Sequence, residues 1–315
     1  MKYLSNLSTD PHWNMAFDQY ALEHIQADEP LFYLWQNAPA VIIGLNQSPY
    51  AEVNLPFLRE KGIVLARRVT GGGAVYHDLG NLNYSIVGPV ECMENAFEIM
   101  PEALRKLGVP AQKTGRNDIL VDGRKCSGYA KRLFKDRMMI HGTLMWDVDL
   151  ETLTEALRVP GSKLEAAGIA SVRSRVANLK DYLPQYPTLA AFRKALSELL
   201  SGGDDAFPLP AQALAFIGRE ARDKFGSWEW LYGHSPESSH RSRKKFGCGT
   251  VEVLYSLRHG VFSEVSFQGD FLGNLPPDGL AALMTGKTID EVKSLPVQDY
   301  LDGVSGEEFV SLFQN

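Results

Sequence analysis

The amino-acid sequence predicts an α+β fold, with a large mixed-sheet body followed by a small α+β C-terminal unit. Three observations carry this expectation. Strand-like runs and amphipathic helices interleave over the first two thirds without the regular βαβ spacing of a doubly wound sheet. The stretch Gly233 to Lys245 holds Ser235, Pro236, Ser238, Ser239, Ser242 and the cations Arg241, Arg243, Lys244 and Lys245, and nothing in it is periodic. Beyond it lie a hairpin and two capped helices. The reading is a body of residues 1–243, a linker over about 233–245 and an accessory unit of residues 246–315. A length of 315 residues suits it, since one domain takes about 150 residues.

Taken in order, Pro11 to Gln26 reads as a helix capped by Asp10, with Trp13, Phe17, Tyr20 or Ala21, and His24 or Ile25 on one stripe. Leu31 to Trp35, Ala40 to Leu45, Ile63 to Arg68 and Ala74 to Tyr76 are strand-like, set apart by Gly, Pro and Asn clusters. A helix is expected between Asn95 and Leu107, closed by Gly108, with Pro101 marking a first turn, a break or a kink. Strands follow at Asp118 to Val121, Arg124 to Ala130 and His141 to Trp146, then helical and irregular sequence to about Tyr232. In the last unit Gly249 to Leu257 and Val261 to Phe267 alternate around Arg258-His259-Gly260. Capping boxes pair Thr288 with Glu291 and Ser305 with Glu308.

Composition narrows the class. Apolar residues are 44% and charged residues 22%, as in ordinary folded proteins, which excludes a disordered, collagenous or coiled-coil chain. The formal net charge of −6 argues against a protein whose main work is gripping nucleic acid. Cys92, Cys126 and Cys248 form no C-x-x-C pair and no even framework, so neither disulfides nor a zinc site are expected. No apolar run suits a bilayer span, and the start lacks a signal-peptide core, so the cytoplasm is the expected location.

Two segments carry the chemistry. In Arg67-Arg68-Val69-Thr70-Gly71-Gly72-Gly73-Ala74-Val75-Tyr76-His77-Asp78, consecutive glycines remove every Cβ, so a ligand can lie against backbone amides. Adjacent arginines suit a phosphate or carboxylate. On chemistry alone, a glycine-rich hairpin with solvated arginines fits as well. In Gly115 to Gly128, Asp122-Gly123 between strand-like runs signals a type I′ hairpin. A two-residue turn sets Val121 against Arg124, Leu120 against Lys125, Ile119 against Cys126, and Asp118 against Ser127. Asp118, Leu120, Lys125 and Ser127 then share one face, with Ile119, Val121 and Cys126 on the other. A solvated edge lysine is the ordinary reading of Lys125; Gly123, Gly128, same-face Asp118 and small Ser127 weigh against it.

The glycine run, the Gly-Arg-Asn-Asp-Ile-Leu-Val hairpin with Gly-Arg-Lys-x-Ser-Gly, His141-Gly142-Thr143-Leu144, and Ser171-Val172-Arg173-Ser174-Arg175-Val176-x-Asn178-Leu179 together resemble lipoate-protein ligases, in that order. Asn14-Met15-Ala16-x-Asp18 and Trp228-Glu229-Trp230 agree, and the likeness extends to about residue 250. The resemblance implies a catalytic domain of the biotin/lipoate ligase type, related to class II aminoacyl-tRNA synthetases. It also implies ATP-dependent formation of lipoyl-AMP, release of pyrophosphate, and acyl transfer to a lysine. Acceptors would be lipoyl domains of 2-oxoacid dehydrogenase complexes and the glycine cleavage H protein, and the acid lipoate or octanoate. Arg68 would contact the acid or the phosphates. Gly73, Ala74, Val75 and Tyr76 would offer backbone to the nucleotide, with His77 nearby. Lys125 would be the catalytic cation bridging the carboxyl and the α-phosphate, with Gly72 and His141 beside the acid. Asp118 would hold Mg²⁺ with Asn117 next to it, and Arg173 and Arg175 would close over the adenylate. Arg67 and Arg116 are expected to converge on the same intermediate.

The nearest rival is an acyl transferase working through a cysteine thioester, but Gln112 to Asp118 holds no cysteine and the register puts Cys126 in the core. A biotin ligase would carry a different glycine-arginine loop. A catalytically silent acyl-binding relative conflicts with the intact Lys125, Asp118 and triple glycine. Thr285-Gly286-Lys287-Thr288 lacks the glycine a P-loop needs, because Ala281 stands there. The clusters Arg241 to Lys245 and Lys131 to Arg137 read as solvated charge, or as contacts for the acidic face of an acceptor.

Overall fold

The computed structural model describes residues 1–114, 117–157, 175–202, 206–235 and 238–314. Among them a seven-stranded sheet forms the centre, in the order β1-β2-β6-β10-β9-β8-β7. Its strands are β1 (Lys2–Tyr3), β2 (Leu31–Trp35), β6 (Asn81–Pro89), β7 (Gln112–Thr114), β8 (Asp118–Val121), β9 (Arg124–Phe134) and β10 (Arg137–Met145). All pairs are antiparallel except β1 with β2, so the sheet is mixed, as expected. A small sheet, β4-β3-β5, made of β3 (Ala40–Ile43), β4 (Val64–Arg67) and β5 (Val75–His77), stands beside it.

Both faces of the large sheet are covered, which is why β2 reads Leu-Phe-Tyr-Leu-Trp without a polar break. Phe32 and Leu34 join a core with Ile86, Ile119, Val121, Cys126 and Phe192; Leu31, Tyr33 and Trp35 join another with Phe17 and Leu22 of helix α1 (Pro11–Glu23). Asp10 caps α1 as read, its carboxylate accepting from the amides of His12 and Trp13. The buried face is rotated from the expected stripe, since Asn14 and Asp18 point inward while Trp13 is half-buried. A polar residue at a core position defeats a reading that counts only apolar ones. Helix α4 (Ala96–Lys106), preceded by α2 (Pro49–Glu52) and α3 (Leu55–Lys61), runs through Pro101 without breaking, and Gly108 follows it at φ 101°.

Further along, α5 (Leu150–Ala156) and helices Leu189–Ser201 and Ala211–Glu220 complete the body. The expected linker is corrected: Ser238–Phe246 forms β11, the outer strand of a sheet with β12 (Gly249–Arg258) and β13 (Val261–Gly269). Its cations masked it. Arg241 pairs with Glu252 and Lys244 donates to Ser311, so the charges are those of an edge strand. The hairpin turn at His259 and Gly260 has φ of 52° and 76°. The Ser305–Glu308 capping box is formed, whereas the Thr288–Glu291 box opens a short 3₁₀ turn, Glu291–Ser294. A helix at Pro277–Met284 was hidden by its leading prolines. Among the described residues no helix is long and apolar enough to cross a membrane.

Candidate active site

Sheet register builds the site. On the face of the large sheet that meets α1, Tyr33 pairs with Ser85, Ser85 with His141, and His141 with Ala130, giving a row across β2, β6, β10 and β9. Next to it runs a second row, Trp35, Asn83 and Thr143, continued by Gly128, whose amide donates to Thr143 Oγ1 at 3.2 Å. Asp18 descends from α1 onto the first row. Its carboxylate accepts from Tyr33 OH at 2.5 Å, Ser85 Oγ at 2.9 Å and His141 Nδ1 at 2.5 Å. Burial and the neighbouring Asp18 charge push the Tyr33 hydroxyl well above its ordinary range, so it stays a donor. On its other side His141 Nε2 meets Thr70 Oγ1 at 2.7 Å, and Thr70 accepts from Arg68 Nε at 3.1 Å.

The second row floors a cavity that also reaches Arg68, Gly72, Gly73, Lys125 and Asn117. Lys125 comes from the predicted hairpin, whose turn residues Asp122 and Gly123 have φ of 48° and 74°, as a type I′ turn requires. Lys125 Nζ lies 2.8 Å from Asp118 Oδ1, and the side chains remain 40% and 38% exposed, so ligand and water can reach both. The register differs beyond Leu120. A bulge at Cys126 sets Ile119 against Ser127 and Asp118 against Gly128. Cys126 thus packs in the core as expected, and Ser127 joins it there instead of sharing the face of Lys125. Burial pushes the Cys126 thiol up to about 12, leaving it protonated. Leu120 and Lys125 form a non-hydrogen-bonded pair next to the turn, so the Lys125 backbone faces away from β8 and binds the returning chain: Lys125 N donates to Arg175 O at 2.8 Å and Ala177 N to Lys125 O at 2.9 Å.

Arg68 is buried at the cavity wall and donates to several oxygen acceptors. Its Nη2 donates to Gly71 O and Gly73 O at 2.8 Å each, and Nη1 to Ile42 O at 3.1 Å. Desolvation lowers its pKa to about 10, still charged at neutral pH, and the structure gives it no carboxylate partner among the described residues. Arg68 therefore shapes the glycine loop and puts a positive charge under it. Gly44 permits this, because a Cβ there would fall 2.1 Å from Gly72 O. Arg67 is a correction. Strand alternation turns it away from the cavity; at 0% exposure it donates to the carbonyls of Trp230, Leu231, Leu45 and Gln47, tying β4 to the chain before β11.

Of the remaining expected residues, Ala74, Val75 and His77 line the cavity, while the Tyr76 side chain faces the opposite core, as alternation along β5 dictates. Asn117 exchanges backbone and side-chain bonds with Tyr129, which aims it at the cavity rim. Arg175 is exposed, its backbone docked on Lys125. Arg116 and Arg173, with the rest of Ser171 to Ser174, lie outside the described residues. Asp18, Thr70, Asn37 and Asn83 were missed as site residues, although Asp18 stands within the first motif and Thr70 within the glycine run. Among the described residues no cluster of three His, Cys, Asp or Glu is placed to hold a metal. Asp118 offers one hard carboxylate beside Asn117, a donor set that suits an ion completing its shell with water and phosphate oxygens.

Known proteins resemble this chain over both of its parts. Residues 10–201 match the lipoyl protein ligase A/B catalytic domain, and residues 235–313 match the bacterial lipoate protein ligase C-terminus. The lipoate-protein ligase LplJ of Bacillus subtilis is 33% identical over 329 aligned positions, covering 99% of each chain. A bipartite lipoate protein ligase of Thermoplasma acidophilum, described with its E2 lipoyl domain, superposes with a TM-score of 0.66 at 30% identity, over 73% of this chain and 95% of that one. A lipoate-protein ligase A bound with ATP gives 0.63 at 27% identity, over 73% and 97%.

Proposed function

Because this chain belongs to the lipoate-protein ligase family, we propose that it activates lipoate with ATP and transfers the lipoyl group to a lysine of an acceptor domain. One observation carries the mechanism: Lys125, the Arg68-supported glycine loop and an apolar trough containing Met15, Trp35 and Ile42 meet in a single cavity. A carboxylate is a poor acyl donor, so it must be activated. In the first step a lipoate carboxylate oxygen attacks the α-phosphorus of ATP, the bond to the bridging oxygen breaks, and pyrophosphate leaves. The Lys125 ammonium bridges the attacking carboxylate and the α-phosphate, offsetting charge that grows in the transition state. The charge of Arg68 and the backbone of Gly72 to Tyr76 add fixed polarity, and no side chain becomes covalently bound.

In the second step the acceptor lysine amine attacks the acyl carbon, AMP leaves, and an amide forms. His141 and Arg175 belong to this reading as neighbours of the acid and of the adenylate, and Arg173 with Arg175 as the closing segment. Asp118 with Asn117 would hold Mg²⁺, which would neutralise charge on the phosphates. The E2 lipoyl domain is the favoured acceptor, supported by the pairing in the Thermoplasma structure, with glycine cleavage H protein as a second and the cytoplasm as the location. A catalytic body followed by an accessory unit is kept, with the junction moved to Ser235, ahead of β11; a separate core around Val251, Phe262, Leu280 and Phe309 supports it. A buried, protonated Cys126 speaks against the thioester rival. The test is to incubate the chain with a lipoyl domain, lipoate, ATP and Mg²⁺. A mass gain of one lipoyl group on the domain, absent without ATP, is expected; no gain, or gain without ATP, contradicts the proposal.

A further inference from the structure

Two buried donors in the cavity have no hydrogen-bond partner among the described residues. They are His77 Nε2, on a residue 3% exposed, and Asn83 Nδ2, on a residue 1% exposed. The assignment of His77 follows from backbone carbonyls. Asn14 Nδ2 faces Ser8 O at 3.1 Å and Gln36 O at 2.8 Å, so it is the amide nitrogen, and it donates to Asn37 Oδ1 at 2.7 Å. Asn37 Nδ2 therefore donates to His77 Nδ1 at 3.0 Å, which leaves the proton of the neutral ring on Nε2. Burial, with Arg68 and His141 nearby, lowers the His77 pKa to about 3, so the ring stays neutral. Asn83 Oδ1 accepts from Asn81 Nδ2 at 2.9 Å, so the Asn83 amine is the group left over. Both donors adjoin Trp35: Asn83 is its register partner, and the His77 ring meets it edge-on at 6.2 Å between centroids.

Position along the trough says what they would read. Lys125 Nζ lies over Gly128, 3.0 Å from where a Cβ would stand there. Asn83 is two strands away, through Thr143, or about 10 Å at ordinary strand spacing. An eight-carbon acid held by its carboxyl at Lys125 extends roughly 9 Å at standard bond lengths, so its far end reaches Trp35, Asn83 and His77. Resting on the ligase reading above, we infer that His77 and Asn83 form a specificity site for the sulfur-bearing end of the acyl chain. Divalent sulfur is a weak acceptor for both N–H groups and packs well against the edge of an aromatic ring such as Trp35. A plain alkyl end leaves both donors buried and unpaired, so the site favours lipoate over octanoate.

The test is acid-dependent ATP–pyrophosphate exchange by the full chain, with lipoate and octanoate compared as kcat/KM. Wild type is expected to prefer lipoate by tenfold or more. Asn83→Leu is expected to shrink that preference at least fivefold, chiefly by improving octanoate. Equal kcat/KM for the two acids in wild type overturns the inference, with no variant needed. So does an Asn83→Leu effect equal on both acids, which would put the donors on the shared carboxyl oxygen. Should Asn83→Leu not fold, Asn83→Thr, which retains a shorter hydroxyl donor, is expected to lie between; an unchanged ratio in it counts against the inference. Absence of exchange with either acid would overturn the ligase reading itself and this inference with it.

Discussion

Asp18 Oδ2 accepts from His141 Nδ1 at 2.5 Å, and through that contact helix α1 is locked to the sheet face that carries the site. The same carboxylate serves Tyr33 and Ser85, register neighbours of His141, so one buried group satisfies three donors on three adjacent strands. Asp18→Asn puts an amide nitrogen toward one of those donors. A loss of about 2–4 kcal/mol in urea unfolding is expected, since a buried network loses acceptors. Asp18→Glu should lose less than Asp18→Asn; equal loss would deny the carboxylate its role.

Lys125→Ala is expected to lower lipoate-dependent pyrophosphate exchange by at least 100-fold, the scale of removing a main electrostatic contact to a transition state. The fold should survive, because the side chain is 40% exposed and its truncation empties no core. Melting temperature and far-ultraviolet circular dichroism check the second half. Normal exchange in a folded Lys125→Ala protein would mean that the cation has been misplaced.

Cys126→Ser is expected to keep acyl transfer within about threefold while lowering stability by about 1–2 kcal/mol, a typical loss at a packed site. The serine hydroxyl can take over the contact that Cys126 Sγ now makes to Ile119 O at 3.4 Å. Abolished transfer in a folded variant would point to a thioester.

The buried His77 ring implies an acid-sensitive stability. Its folded-state pKa of about 3 lies below the unfolded value of about 6.5, so between them the unfolded chain binds more protons and stability rises with pH. The contribution is present above pH of about 6.5 and is lost as pH falls toward about 3, amounting to at most roughly 5 kcal/mol. His77→Gln should flatten the acid limb of unfolding free energy in that window. An identical acid limb would show that His77 is not the group responsible.

The hairpin that delivers Lys125 was legible because Asp-Gly fixes a turn and alternation then fixes faces; Lys125 and Asp118 meet as that logic required. Its failure at Ser127 has a local cause, since a bulge adds a residue without leaving a mark in the residue types. Arg67 and Arg68 look alike in sequence, yet one staples carbonyls before β11 and the other supports the glycine loop, because neighbours on a strand face opposite ways. Asn83 and Asn37 carried no local signal. Their roles come from partners distant in the chain, the register neighbours Trp35 and Thr143 for the first and the hydrogen-bond partners His77 and Asn14 for the second.

The proposed reaction runs through an acyl-adenylate, with no acyl group held covalently by the protein. The most direct measurement is incorporation of labelled pyrophosphate into ATP by the wild-type chain with lipoate and Mg²⁺, in the absence of any acceptor domain. Lipoate-dependent incorporation is expected. No incorporation, together with acyl transfer to an acceptor that proceeds without ATP, would contradict it.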